Sequence, residues 1–221
     1  MTLERLLALW RTRMDDKTTV KLWSDEDGTE YFDDAVSEAC IRGRLLRATT
    51  TQALTIGQAA YTMPAGWFEL TAAKHSGCRH PLRICSIAVA DIENPNWHSD
   101  TGDLARVIVT DLATNSYTVS PIPSAAGTLT LHGYRVPVTA ELLATVGEQG
   151  VPVGVPENLQ KHLVHWACFL AYQTRDSDAG DIQRAQFHER QFETYFGAPV
   201  TAHSLRIRQQ ARGQRVRGRF I

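Results

Sequence analysis

Between residues 49 and 136 the apolar residues abandon helical spacing and fall into short alternating runs cut by Gly, Pro, Asn and Asp. On either side the helical spacing returns. This double change of period is the strongest constraint on the fold, because side chains repeat every two residues in a strand and about every 3.6 in a helix. The runs "ALTIG", "AAYTMP", "FELTAAKHS", "HPLRICSIAVA", "ARVIVTD", "SYTVSPIP" and "GTLTLHGYRVP" read as strands, joined by turns such as "ATNS" and "SAAG". Short strands with close turns predict an antiparallel sandwich or barrel in place of a βαβ sheet.

Four amphipathic helices flank this region. Leu3, Leu6, Leu7, Trp10 and Met14 mark the first. Ser24 and Asp27 form an S-x-x-D start signal for a second over about 25–47, carried by Tyr31, Ala35, Val36, Ala39 and Leu46, with Arg42, Arg44 and Arg47 in its last turns, where the helix dipole favours cations. Pro156 suits the first position of a third helix on Leu159, Leu163, Trp166, Phe169 and Leu170, which "DSDAGD" ends. A fourth spans 179–196 on Ile182, Ala185, Phe187, Phe192, Tyr195 and Phe196, stopped by Gly197 and Pro199. Half-apolar helices bury themselves most economically against one another. The expectation is therefore an α+β chain: a helical bundle from residues 1–48 and 156–197, an inserted antiparallel β-sandwich or barrel with its loop from 49–155, and an extended basic C-terminal tail from 198–221.

Charge sets the tail apart. The chain has 23 Lys+Arg against 24 Asp+Glu, yet residues 204–221 hold six arginines and no acid, so the remainder carries 17 against 24. Three uses fit such a segment: binding nucleic-acid phosphate, remaining a solvated end, or lying along a protein partner. A nucleic-acid tail has no need of the alternation Leu205-Arg206-Ile207-Arg208 or of a terminal Phe220-Ile221. Apolar residues interleaved with Arg suit an extended segment on a protein surface, where Arg forks onto carboxylates and apolar groups find pockets. On this reading Leu205, Arg206, Ile207, Arg208, Arg212, Arg215, Val216, Arg217, Arg219, Phe220 and Ile221 are the partner-binding residues. A nucleic-acid-binding module using the same tail is the alternative.

Catalytic and metal constellations are weak. Cys40, Cys78, Cys85 and Cys168 follow no disulfide framework and read as reduced, mostly packed thiols. His75, Cys78, His80 and Cys85 lack finger or ribbon spacing, and an ordinary strand and loop explains them better. His162, His165 and Cys168 sit at i, i+3 and i+6, so the third drifts off the shared face. The EF-hand reading of "DSDAGD", with Asp176 and Asp178 as ligands, fails at Asp181 and Phe187, where Gly and Glu are required; Asp178 or Asp181 as a helix cap is simpler. Asp25, Glu26 and Asp27 read as helix-start charges. No nucleophile elbow, Walker A loop, dinucleotide turn or HExxH is present. The expectation is a protein with no catalytic site, metal or cofactor. A carbohydrate-binding or hydrolytic tail component built on the β-region, using exposed aromatics such as Trp67 and Trp97, is a third class, against which both tryptophans serve equally well as core or loop packing. No apolar run approaches the roughly 18 residues that span a bilayer, and the N-terminus, with Glu4, lacks a signal-peptide pattern, so no membrane insertion is expected.

The segments "LWSDEDGTEYFDDAVSEACIRGRLL", "YTMPAGWFEL", "NPNW", "YTVSPIPSAAGTLTLHGYRVP" and, most specifically, "HLVHWACFLAYQTRDSDAGDIQRAQFHERQFETYFG" together resemble the head-to-tail adaptor (connector) proteins of tailed bacteriophages over residues 20–197. The resemblance rests chiefly on His162, Trp166, Ala171, Tyr172, Asp176, Asp178, Asp181, Ala185, Phe187, Phe192 and Phe196-Gly197, in that order. It implies a homo-oligomeric ring of twelve neighbouring adaptor subunits beneath the portal protein, joining it to tail tube or nozzle components. DNA then passes through the lumen without specific binding. The implied place of such a protein is the head–tail junction of the virion, after synthesis in the host cytoplasm, with the C-terminal segment clasping the portal.

Overall fold

The computed structural model describes residues 1–16, 21–113, 115–173, 181–201 and 204. The helices are α1 (Leu3–Met14), α2 (Asp25–Gly43), α3 (Ile87–Glu93), α4 (Leu143–Val146), α5 (Glu157–Gln160), α6 (Val164–Tyr172) and α7 (Ile182–Phe196). The strands are β1 (Arg47–Leu54), β2 (Ala60–Thr62), β3 (Trp67–His75), β4 (Arg83–Cys85), β5 (Thr101–Gly102), β6 (Val107–Val109), β7 (Ser116–Ser120), β8 (Ile122–Pro123) and β9 (Gly127–Arg135). The chain is α+β. It forms two compact units, one from Met1–Leu46 with Arg135–Pro199 and one built on Arg47–Tyr134. Residues 136–155, grouped with the β-region on composition, pack with the helices: the Asp33 carboxylate of α2 accepts the Leu143 and Ala144 N–H groups at 2.6 and 3.1 Å and so caps α4.

In the helical unit α6 packs against α1, α2 and α7. Leu3, Leu6, Trp10 and Met14 bury the stripe expected of α1. A Cβ on Gly28 would stand 2.7 Å from the Trp10 ring, so glycine is what lets Trp10 close onto α2. The Ser24 hydroxyl accepts the Asp27 N–H while the Asp27 carboxylate accepts the Ser24 N–H, both at 2.9 Å, which is the capping box expected there.

Three sequence expectations need correction in this unit. First, α2 stops at Gly43: Arg44 takes a left-handed conformation at φ 49° and Arg47 begins β1. Arg42 is not a surface dipole partner, because its side chain is 2% exposed, bonded to Glu38 at 2.6 Å and laid 4.7 Å over the Trp166 ring. Second, the third helix is interrupted, with a 3₁₀ turn at Lys161–Leu163 between α5 and α6. Third, α7 buries Ala185, His188, Phe192 and Phe196, a stripe that leaves Ile182 75% and Phe187 55% exposed.

The β-unit packs a three-stranded sheet and a mixed four-stranded sheet over a shared core, without a closed barrel. One sheet has the order β1-β9-β3, another β2-β7-β6-β4, and β5-β8 forms a two-stranded pair. The expected all-antiparallel pattern fails at β4-β6 and β5-β8, which are parallel. Leu54, Tyr61, Leu70, Ile108, Tyr117, Val119, Leu129 and Leu131 fill the core shared by the two larger sheets. The run "HPLRICSIAVA" is strand only at Arg83–Cys85 and then becomes α3, whose first N–H, that of Ile87, is taken by the Asp111 carboxylate at 2.7 Å. Short apolar runs do not separate helix from strand by period alone; a cap supplied by a distant acid decided this one.

Candidate functional site

The most family-like residues form the joint between α6 and α7. Trp166, Phe192 and Phe196 pack in series, with ring centroids 5.0 and 4.5 Å apart. Ala171, Tyr172 and Ala185 are buried. The Asp181 carboxylate accepts the Arg184 N–H at 3.0 Å and caps α7, and Gly197, at φ 97°, ends it. Asp176 and Asp178 lie outside the described residues.

Beside these rings runs a polar line that spacing alone could not reveal. Arg13 Nη1 lies 3.2 Å from His165 Nε2, and His165 Nδ1 lies 3.0 Å from His188 Nδ1. Arginine only donates. His165 therefore accepts at Nε2, carries its proton on Nδ1 and donates to a bare His188 Nδ1. Both rings are buried. Burial first, then the charge of Arg13, holds His165 down to about 3 and His188 to about 4. His162 stacks on Tyr195 and is also lowered, by burial first and then Lys161. Cys168 is buried and its thiol is pushed up to about 12 by that burial.

This pair has a pH signature. Below about pH 6.5 the unfolded chain protonates both histidines, whereas the folded chain keeps them neutral until pH falls to about 4 and 3. Stability is thus complete above the unfolded value and is lost as pH falls from 6.5 toward 4, by up to about 1.4 kcal/mol per pH unit for each histidine. Urea midpoints at about pH 7.5 and pH 5 are expected to differ in the wild type, and His165→Gln with His188→Gln is expected to flatten the difference. Equal wild-type midpoints would refute the account.

Trp67 and Trp97 are buried, and the Trp97 indole donates to Asp91 at 2.7 Å. His75 is buried with Nδ1 accepting the Gly77 N–H, and Cys78 points its thiol at the Ala105 carbonyl. Among the described residues no group of three or more His, Cys, Asp or Glu is placed to hold a metal ion, and no helix is long and apolar enough to cross a membrane. Asp25 is held below the usual carboxylate range by hydrogen bonds from Lys21 and Arg11. Farther along α2, Glu26, Glu30, Asp34 and Glu38 recur every four residues, an arrangement that costs helix stability through like-charge repulsion. Burial, followed by Asp33, Glu30 and Glu38, raises the Asp34 carboxyl. Of the partner-binding set, Leu205, Arg206, Ile207, Arg208, Arg212, Arg215, Val216, Arg217, Arg219, Phe220 and Ile221 all lie outside the described residues.

A family model described as SU10 adaptor protein matches residues 1–218, nearly the whole chain. The chain belongs to that family. The SU10 adaptor match agrees with the phage head-to-tail adaptor resemblance and extends it over α1 and nearly all of the tail. Membership makes the chain a phage adaptor, a structural component of the virion that works with portal and tail components. No curated protein matches it significantly.

Proposed function

We propose that this SU10-family adaptor assembles as a ring of twelve copies between portal and tail, strapping itself to the portal through residues 205–221. The family match over residues 1–218 carries the reading. Several features of the chain support it. The joint of α6 and α7 is a packed aromatic and histidine seam suited to holding shape. The acidic stripe on α2 has the sign that lets DNA phosphates slide past a lumen that does not grip them. The tail has the opposite charge and an apolar alternation suited to a protein groove. The work done is assembly, with no bond made or broken.

Mixing the protein with isolated portal rings tests the class. Negative-stain images and native mass spectra are expected to show a second ring stacked on the portal, with the mass of twelve chains. Portal rings that stay bare at high adaptor concentration would sink the reading. Tight, steeply salt-dependent binding of duplex DNA by the tail would favour the nucleic-acid alternative instead.

A further inference from the structure

Among the described residues the two larger sheets of the β-unit are joined along one seam and open along the other. At the joined seam the Leu82 N–H donates to the Ala73 carbonyl of β3 at 2.7 Å in an antiparallel bridge. At the open seam β1 ends one sheet and β2 ends the other. A cleft of about 340 Å³ lies there, lined by Gln52, Gln58, Ala60, Tyr61, Thr62 and Ser116.

Register decides which backbone groups this seam presents. The Arg135 N–H donates to the Leu46 carbonyl at 3.1 Å, and the pairing of β1 with β9 continues that frame from Arg47 opposite Tyr134 to Leu54 opposite Gly127. Hydrogen-bonded pairs alternate along an antiparallel ladder. Even-numbered residues of β1 therefore bond β9, and Arg47, Thr49 and Thr51 aim their N–H and C=O groups outward. On β2 the Val119 N–H donates to the Ala59 carbonyl and the Met63 N–H to the Asn115 carbonyl, so Ala60 and Thr62 face outward. Side chains answer two of the outward carbonyls: Gln52 Nε2 donates to Ala53 at 3.0 Å and Gln58 Nε2 to Ala60 at 2.9 Å. The outward groups of Thr49 and Thr51 meet no backbone partner among the described residues. β1 also lacks ordinary edge defences, having no proline, no lysine and one charge, Arg47. Such an edge takes up an extended peptide through main-chain hydrogen bonds.

We infer that the open seam is the docking site of the chain's own residues 205–210, which add to β1 as a further strand. Those residues lie outside the described structure, and the described residues from Val200 on belong to the same unit as β1. Their alternation, Leu205-Arg206-Ile207-Arg208, is the period of a strand with one apolar face. An antiparallel register placing Arg206 opposite Thr51 and Arg208 opposite Thr49 sets Gln210 opposite Arg47, so no like charges stand directly opposite. The same register turns Leu205 and Ile207 to the side of Gln52 and Thr50, both half-buried, toward the Tyr61 ring and Ala60 of the cleft. Arg206 and Arg208 then share the exposed face with Thr49 and Thr51. The inference holds with or without a portal; because the strap draws on the same residues, seam and portal compete for them.

Amide hydrogen exchange on the full chain, without portal, tests it. In the wild type the outward amides of Thr49 and Thr51 are expected to be protected. In the full-length variant Leu205→Asp with Ile207→Asp they are expected to exchange about tenfold faster or more, while the amides of Thr50 and Gln52, bonded to β9, stay unchanged and report an intact sheet. Protection in the wild type that is independent of concentration assigns the strand to the same chain, and protection that grows with concentration and is lost in the variant assigns it to a second copy's tail. Unprotected Thr49 and Thr51 in the wild type overturn the inference. So does protection that survives the double substitution, which would place another strand, such as a second copy's β1, in the seam.

Discussion

Deleting residues 204–221 is expected to leave a folded chain that no longer joins portal rings. A strap of this kind is weak alone: ordering each of its residues costs about 1 to 2 kcal/mol of backbone entropy. It becomes strong only when the ring body is already seated, because the second contact is then intramolecular, a gain of roughly 10²–10⁴-fold. Removing the tail forfeits that factor. Sedimentation of truncated and full-length protein with portal rings measures it, and circular dichroism checks that the helices and sheets persist. Truncated protein that co-sediments as well as the full chain would remove the strap from the proposal, while ring-on-ring particles could still form through the body. The exchange experiment on Thr49 and Thr51 is independent of this outcome, since it contains no portal.

Arg11→Met is expected to destabilise the helical unit by about 3–5 kcal/mol. The Arg11 guanidinium bonds Asp16, reaches Asp25 at 2.7 Å and lies 4.8 Å over the Trp10 ring. The Asp16 side chain is 6% exposed and also accepts the Leu22 N–H at 3.1 Å. Removing the cation strands a buried carboxylate, which costs far more than the ion pair itself contributes. For a chain of this size the thermal midpoint is expected to fall by roughly 6–20 °C. Arg11→Met with Asp16→Asn keeps the acceptor for Leu22 without the charge, and most of the loss should return. A single variant within about 1 kcal/mol of wild type would show that the pair is not in fact desolvated.

The legible parts of this protein were those governed by neighbours in sequence. The stripe Leu3, Leu6, Trp10 and Met14, the Ser24–Asp27 box and the Asp181 cap each depend on residues within a few turns, and each appears where the spacing puts it. The family-like order of Trp166, Phe192 and Phe196 was readable too, because it lies on two consecutive helices. By contrast α3 looked like strand, since its cap comes from Asp111, far along the chain. Arg42 looked like a surface cation, although the rings that bury it belong to α6 and α7.

By itself the amino-acid order determined that helices flank a β-region, that charge is segregated into a basic tail, and that the chain resembles a phage adaptor. Period, composition and capping are local properties, written in runs of a few residues. Tertiary structure alone decided that His165 donates to His188, that two strand pairs run parallel, and that β1 and β2 end their sheets among the described residues. Each of those depends on which distant segments meet and in what register, and a one-residue shift in register turns every inward group outward.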